Sequence, residues 1–275
     1  MIRRTLTFGI TIIAICFSLV FAADSIGPNV PVYMVIPMEY PEDALYADVL
    51  TLGLDISEAK LEKDHRGWWI FSSDEFEIRR LKNSGRFTYL NKSVNTTKKF
   101  EVGSEPVFAE DLEEIALKLL EPLGIPMDQV DAVLTRRIVD QAEDEFGNDI
   151  GPPVTVAFKI TVTRQIGGIR VVDSDASVLF NAEGNLKKIR TSWREIEPIP
   201  VAYEAVVAET DLREASLRKI EANSRGSQFR HYSGGYSFKE NIHREVQEFF
   251  RLQYCYMYQY EDGSELQFGA IPAVR

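Results

Sequence analysis

Between residues 132 and 193 the chain carries five successive segments rich in Val, Ile, Thr and Phe, at 132–139, 154–164, 168–172, 176–181 and 186–193. Short runs of β-branched and aromatic residues suit a pleated, half-buried surface, so this stretch commits the middle of the chain to sheet. Gln165-Ile166-Gly167-Gly168 and Ala182-Glu183-Gly184-Asn185 supply hairpin turns. Everything else the chain forms has to pack against those strands.

The flanking segments read as follows. Val30-Pro31-Val32-Tyr33-Met34-Val35-Ile36 is expected to be an edge strand, because Pro31 cannot donate to a ladder, and residues 49–56 another strand. The runs 67–71, 76–81 and 86–90 form a β-meander, with a turn at Lys82-Asn83-Ser84-Gly85. Residues 109–120 are a helix: Glu110, Asp111, Glu113 and Glu114 favour the positive end of its dipole, Leu112, Ile115, Ala116, Leu119 and Leu120 recur at helical spacing, and Pro122 and Gly124 end it. Pro198 and Pro200 mark a boundary. A second helix is expected over 202–221, with Val206, Ala208, Leu212, Ala215, Leu217 and Ile220 as candidate buried positions, then a polar loop over 223–235. Two last strands, 243–260 and 265–274, are joined by Glu261-Asp262-Gly263-Ser264. The order predicts an α+β fold, antiparallel sheets each covered by a helix. The expected division is a signal at 1–22, a β-rich N-terminal segment at 23–108, a first helix-plus-sheet module at 109–198 and a second at 199–275.

A chain of 275 residues, 45% hydrophobic, can bury a sizeable core, and its formal charge of -11 is the wrong sign for nucleic acid or an acidic membrane surface. Arg3 and Arg4, an apolar run from Leu6 to Phe21 and the small residues that follow read as a secretory signal cleaved between Ala22 and Ala23, which implies a secreted or periplasmic protein. The alternative is an uncleaved anchor, for which the run is slightly short. Cys16 lacks the preceding small residue of a lipoprotein signal. Cleavage leaves Cys255 alone, so no intramolecular disulfide is expected, and this residue reads as a small apolar side chain in a strand, with a reactive thiol as the sharper alternative.

Residues that could carry catalysis are sparse. His65, His231 and His243 are the only histidines and belong to different segments, which gives a metal site or triad few ways to form. Asp140, Glu143, Asp144, Glu145 and Asp149 surround Gly147-Asn148 without EF-hand spacing and read as a solvated loop. Asp173 and Asp175 could share a strand face as paired carboxylates, or belong to a tight polar turn. Asn91-Lys92-Ser93 and Asn95-Thr96-Thr97 match glycosylation acceptors. No cofactor is implied. Tyr254, Tyr256, Tyr258 and Tyr260 share one strand face, read as core or half-buried sheet and, if exposed, as a binding surface.

The segment 154–189 also carries a resemblance. A strand ending in Arg164-Gln165, the hairpin Gly168-Ile169-Arg170-Val171, a strand Val178-Leu179-Phe180 and a turn at Gly184 resemble the propeptide modules of secreted thermolysin-like and fungalysin-like metallopeptidases and the related PepSY domains. Residues 199–275 are similar, more loosely, to the PepSY half of those propeptides. The His-Glu-x-x-His helix of the peptidase itself has no counterpart, since His243-Arg244-Glu245-Val246-Gln247 holds one imidazole. The resemblance implies an exported, non-catalytic binding protein, a peptidase inhibitor or folding assistant whose partner is an exported protein such as a peptidase. The alternatives are an exported hydrolase with a carboxylate site and a structural envelope protein. Partner contact is expected at an exposed sheet edge or at the C-terminal tail, where Ile271, Ala273 and Val274 are the candidates.

Overall fold

A computed structural model describes residues 26–36, 40–55, 57, 59–63, 67–82, 84, 86–94, 98–143, 149–223, 229–240, 247–260 and 267–274. The expected signal with its Ala22/Ala23 cleavage site, His65, Asn95, Asp144, Glu145, His243 and the 261–264 turn lie outside the described residues. In chain order the first elements are β1 (Asn29–Met34), α1 (Glu42–Thr51), β2 (Lys60–Lys63), β3 (Trp68–Ser72), β4 (Phe76–Leu81), β5 (Arg86–Asn91) and β6 (Phe100–Glu101). The middle of the chain forms α2 (Ala109–Leu120), β7 (Val130–Glu143), β8 (Asp149–Ile166), β9 (Ile169–Asn181) and β10 (Leu186–Ser192). Then come β11 (Ala202–Ala205), α3 (Glu209–Asn223), β12 (Phe229–Lys239), β13 (Phe249–Phe250), β14 (Leu252–Tyr260) and β15 (Gln267–Pro272).

The helix-covered α+β arrangement of two propeptide-like modules is not what forms. Of the described residues 54% are strand and 20% helix, and twelve strands share one mixed sheet. Its main path runs β15-β14-β12-β9-β10-β5-β4-β3-β2, with β8 on the other side of β9 and carrying β7 and β6. The reason lies in pairings that cross the expected boundaries. β5 pairs antiparallel with β10, so the meander of residues 67–91 extends the central sheet. β12 pairs parallel with β9 through Phe238↔Val171 and Lys239↔Val172, which joins the C-terminal strands to the same sheet. β1 is also not an edge strand: it lies between β11 and β13 in a separate three-stranded sheet. Pro31 is tolerated there because β13 pairs only with Tyr33 and Met34, beyond the missing donor.

β9 changes partner along its length. Val171 and Val172 pair with β12, residues 175–180 pair with β10, and between them Asp173 takes φ 65°, the only positive φ outside glycine among the described residues. Opposite it, β8 shifts register between Thr163 and Arg164. Such a bulge bends its strand and re-aims side chains, and here it splits the sheet between two cores. One core holds α1 and α2 against β3, β4, β5, β8, β9 and β10, around Phe87, Phe158, Ile160, Val178, Phe180 and Ile189. The other packs α3 and β1 against β12 and β14, around Leu212, Ile220, Phe238, Phe250, Leu252 and Tyr254.

Three local expectations change for identifiable reasons. Residues 49–51 end α1 instead of beginning a strand: Glu42 and Asp43 occupy its first turn, and Leu45 and Val49, one turn apart, are buried. The expected loop over 223–235 is partly strand β12, and the expected second helix gives its first four residues to β11. α2 forms over the expected span, burying Leu112, Ala116 and Leu120. No helix of the described residues is long and apolar enough to cross a membrane.

Candidate functional site

Where the sheet divides, polar groups are buried rather than aliphatic ones. Arg164 of β8 is fully buried, its Nε donating to Gln129 Oε1 at 2.9 Å and its Nη1 to Ser174 Oγ at 3.4 Å. Glu240, immediately after β12, lies 3.7 Å from Arg164 Nη1 and 3.8 Å from Arg194 Nε, and accepts from the Arg194 backbone N–H at 3.4 Å. Each side chain is put there by a different strand pairing, since β8, β9, β10 and β12 all end or bend at the bulge. Burial holds the Arg164 guanidinium down to about 10, against the pull of Glu240, and raises the Glu240 carboxyl above its usual range, against Ser174 and the two arginines.

A cavity of about 280 Å³ opens beside this cluster, lined by Gly124, Pro126, Gln129, Arg164, Trp193, Glu195 and Ile196. Arg164 Nη2 and Trp193 Nε1 are buried and have no acceptor among the described residues. An unsatisfied buried donor costs about 1–3 kcal/mol, so two at one cavity are a departure from ordinary packing.

From the same segment the chain runs into the three-stranded sheet. Val206 N–H donates to Pro28 O, which sets the alternation of the β1/β11 pair, so Ala202 and Glu204 turn their backbone groups to β1 while Tyr203 and Ala205 turn theirs away. Among the described residues no second strand pairs with β11 along that edge, but just past its end Val206 bridges antiparallel to Val274, which brings the C-terminal tail beside Ala205. On that edge Tyr203 has 68% of its surface exposed, and Ile199 and Val201, in the bend before the strand, 77% and 51%, with the Val201 N–H donating to Val32 O. The outer strand β2, by contrast, alternates charges, Lys60-Leu61-Glu62-Lys63, the usual protection of a sheet edge.

No family model matches the chain, and no curated protein matches it.

The residues singled out from the sequence are scattered. Asp173 is exposed and lies 3.7 Å from Lys239 Nζ, while Asp175 faces Arg86. Asp140 pairs with Lys99. His231 stands in β12. Cys255 is buried, which raises its thiol. Tyr254 and Tyr256 are buried in the second core, with Tyr258 and Tyr260 half-buried beside it. In the C-terminal tail Ala273 is buried, donating its N–H to Leu252 O and accepting from Val207 N–H, with Ile271 and Val274 packed against the same core. A partner could reach Ala273 only by displacing that packing. Sequence reasoning missed the cavity, because Gln129, Arg164, Trp193 and Glu240 are far apart in the chain. It also passed over Ile199-Pro200-Val201-Ala202-Tyr203, whose spacing of two was visible but was assigned to a linker and a helix.

Proposed function

We propose that the protein is an exported binding protein that holds an extended segment of another exported protein along the outer edge of β11. The observation that carries this reading is the coincidence of an open backbone edge at Tyr203 with three exposed apolar side chains, Tyr203 itself and Ile199 and Val201 just before the strand. Added strands gain affinity from main-chain hydrogen bonds and specificity from alternate side chains, and this edge offers both without site chemistry. The N-terminal sequence supports export. The formal charge of -11, with Glu197 beside these residues, selects a partner segment that is apolar at alternate positions and flanked by basic residues. The partner is proposed on that chemistry, since the helix-covered arrangement that the propeptide resemblance implied does not form.

The test uses synthetic peptides of alternating Val and Thr flanked by Lys, the same peptides flanked by Glu, and versions N-methylated at alternate residues. The Lys-flanked peptide should bind, the Glu-flanked one more weakly and the N-methylated one not at all, with Tyr203→Lys abolishing binding and leaving the fold intact. Binding that survives N-methylation, or none at about 1 mM peptide, overturns the reading.

A further inference from the structure

We propose that the cavity lined by Pro126, Gln129, Arg164, Trp193, Glu195 and Ile196 is a separate binding site for the carboxylate of a small, partly apolar molecule. Arg164 and Trp193 retain 0% and 5% of their exposure, and each presents a buried N–H group with no acceptor among the described residues. A carboxylate has two oxygens and supplies both acceptors at once.

Charge argues in the same direction. The buried Arg164 guanidinium carries a positive charge, so an acceptor that reaches its Nη2 is favoured as an anion over a neutral group. Glu195, exposed at the cavity, adds a negative charge that works against phosphate and other polyanions. The cavity volume of about 280 Å³ matches a ring-sized organic acid, and Pro126, Ile196 and the Trp193 indole give its body an apolar wall. Both donor nitrogens are covered by protein, so a ligand's oxygens reach them only as neighbouring side chains move.

Calorimetry on the full chain tests the assignment with benzoate, benzamide, inorganic phosphate, and a short peptide with its C-terminus free or amidated. Benzoate should bind in preference to benzamide and phosphate. Trp193→Phe, which keeps a smaller aromatic side chain and removes the N–H, should weaken benzoate about tenfold. Ile196→Trp should abolish it by filling the cavity, with both variants still unfolding cooperatively. A free-ended peptide that binds as tightly as benzoate, with its amide silent, supports the same carboxylate site and names a chain end as the source; benzoate alone names a small acid. No benzoate binding, equal binding of benzamide, or an unchanged Trp193→Phe affinity overturns the proposal, whatever happens with peptides at β11.

Discussion

The ring of Tyr254 on β14 covers Gly234 on β12, so closely that a Cβ at residue 234 would lie 2.8 Å from the ring carbon Cε1. Tyr254 cannot give way easily, because it is buried and accepts a hydrogen bond from the Tyr232 hydroxyl at 3.3 Å. Tyr256 does the same to Gly269 on β15, where a Cβ would lie 2.3 Å from Cζ. Gly234→Ala and Gly269→Ala should therefore each destabilise the protein by about 1–3 kcal/mol through overpacking, read as lower urea midpoints. A neutral Gly234→Ala would show that the tyrosine is free to move aside.

Asp48 on α1 holds Arg80 on β4 with two bonds, from Arg80 Nε at 2.6 Å and Nη2 at 2.7 Å, in the wall of the first core. The Arg80 guanidinium also lies 4.3 Å from the centroid of Tyr40. Asp48→Ala leaves a buried cation without its partner and should cost about 3–5 kcal/mol. Replacing both residues by apolar ones of similar volume should recover most of that loss, which chemical denaturation of the single and double variants will measure.

What was legible in the sequence is what local chemistry decides. α2 could be read from its acidic first turn, its apolar spacing and Pro122, and the meander of β3, β4 and β5 from short alternating runs between turn residues. Long-range pairing was not legible. The parallel contact of β12 with β9 involves two residue pairs and leaves no periodic trace, yet it merges two expected modules into one sheet. Gly234 and Gly235 read as loop from sequence because glycine is a loop signal; both stand in β12, and at Gly234 the ring of Tyr254 fills the space a side chain would take. The cavity was illegible for a related reason: Arg164 and Trp193 look like ordinary strand ends until the bulge at Asp173 brings them together.

Glu240 should give stability a distinctive pH dependence. Burial raises its folded-state pKa above the ordinary 4.5, so the folded protein holds this proton more tightly than the unfolded chain. Its contribution is fully present below that ordinary value and is lost as pH rises through the raised one. Asp48, also raised by burial, acts in the same sense, so the comparison must be with Glu240→Gln. Wild-type stability minus that of Glu240→Gln should fall as pH rises from about 4 to about 8, by urea denaturation. A difference that rises over the range would mean that the two arginines outweigh burial.

Cys255 should be inert in the native state. It is buried, burial raises its thiol, and the thiolate is the reactive form. A thiol reagent should modify it only as fast as the protein opens, and at once in denaturant. Rapid modification of the folded protein would contradict its placement in β14.

Amide hydrogen exchange along β11 shows whether a partner strand adds to its outer edge. The backbone N–H groups of Tyr203 and Ala205 face away from β1, while those of Ala202 and Glu204 face it. A Lys-flanked Val/Thr peptide should slow exchange at Tyr203, with little change at Ala202 and Glu204, which are already bonded. Unchanged exchange at Tyr203 with the peptide bound would refute strand addition at β11.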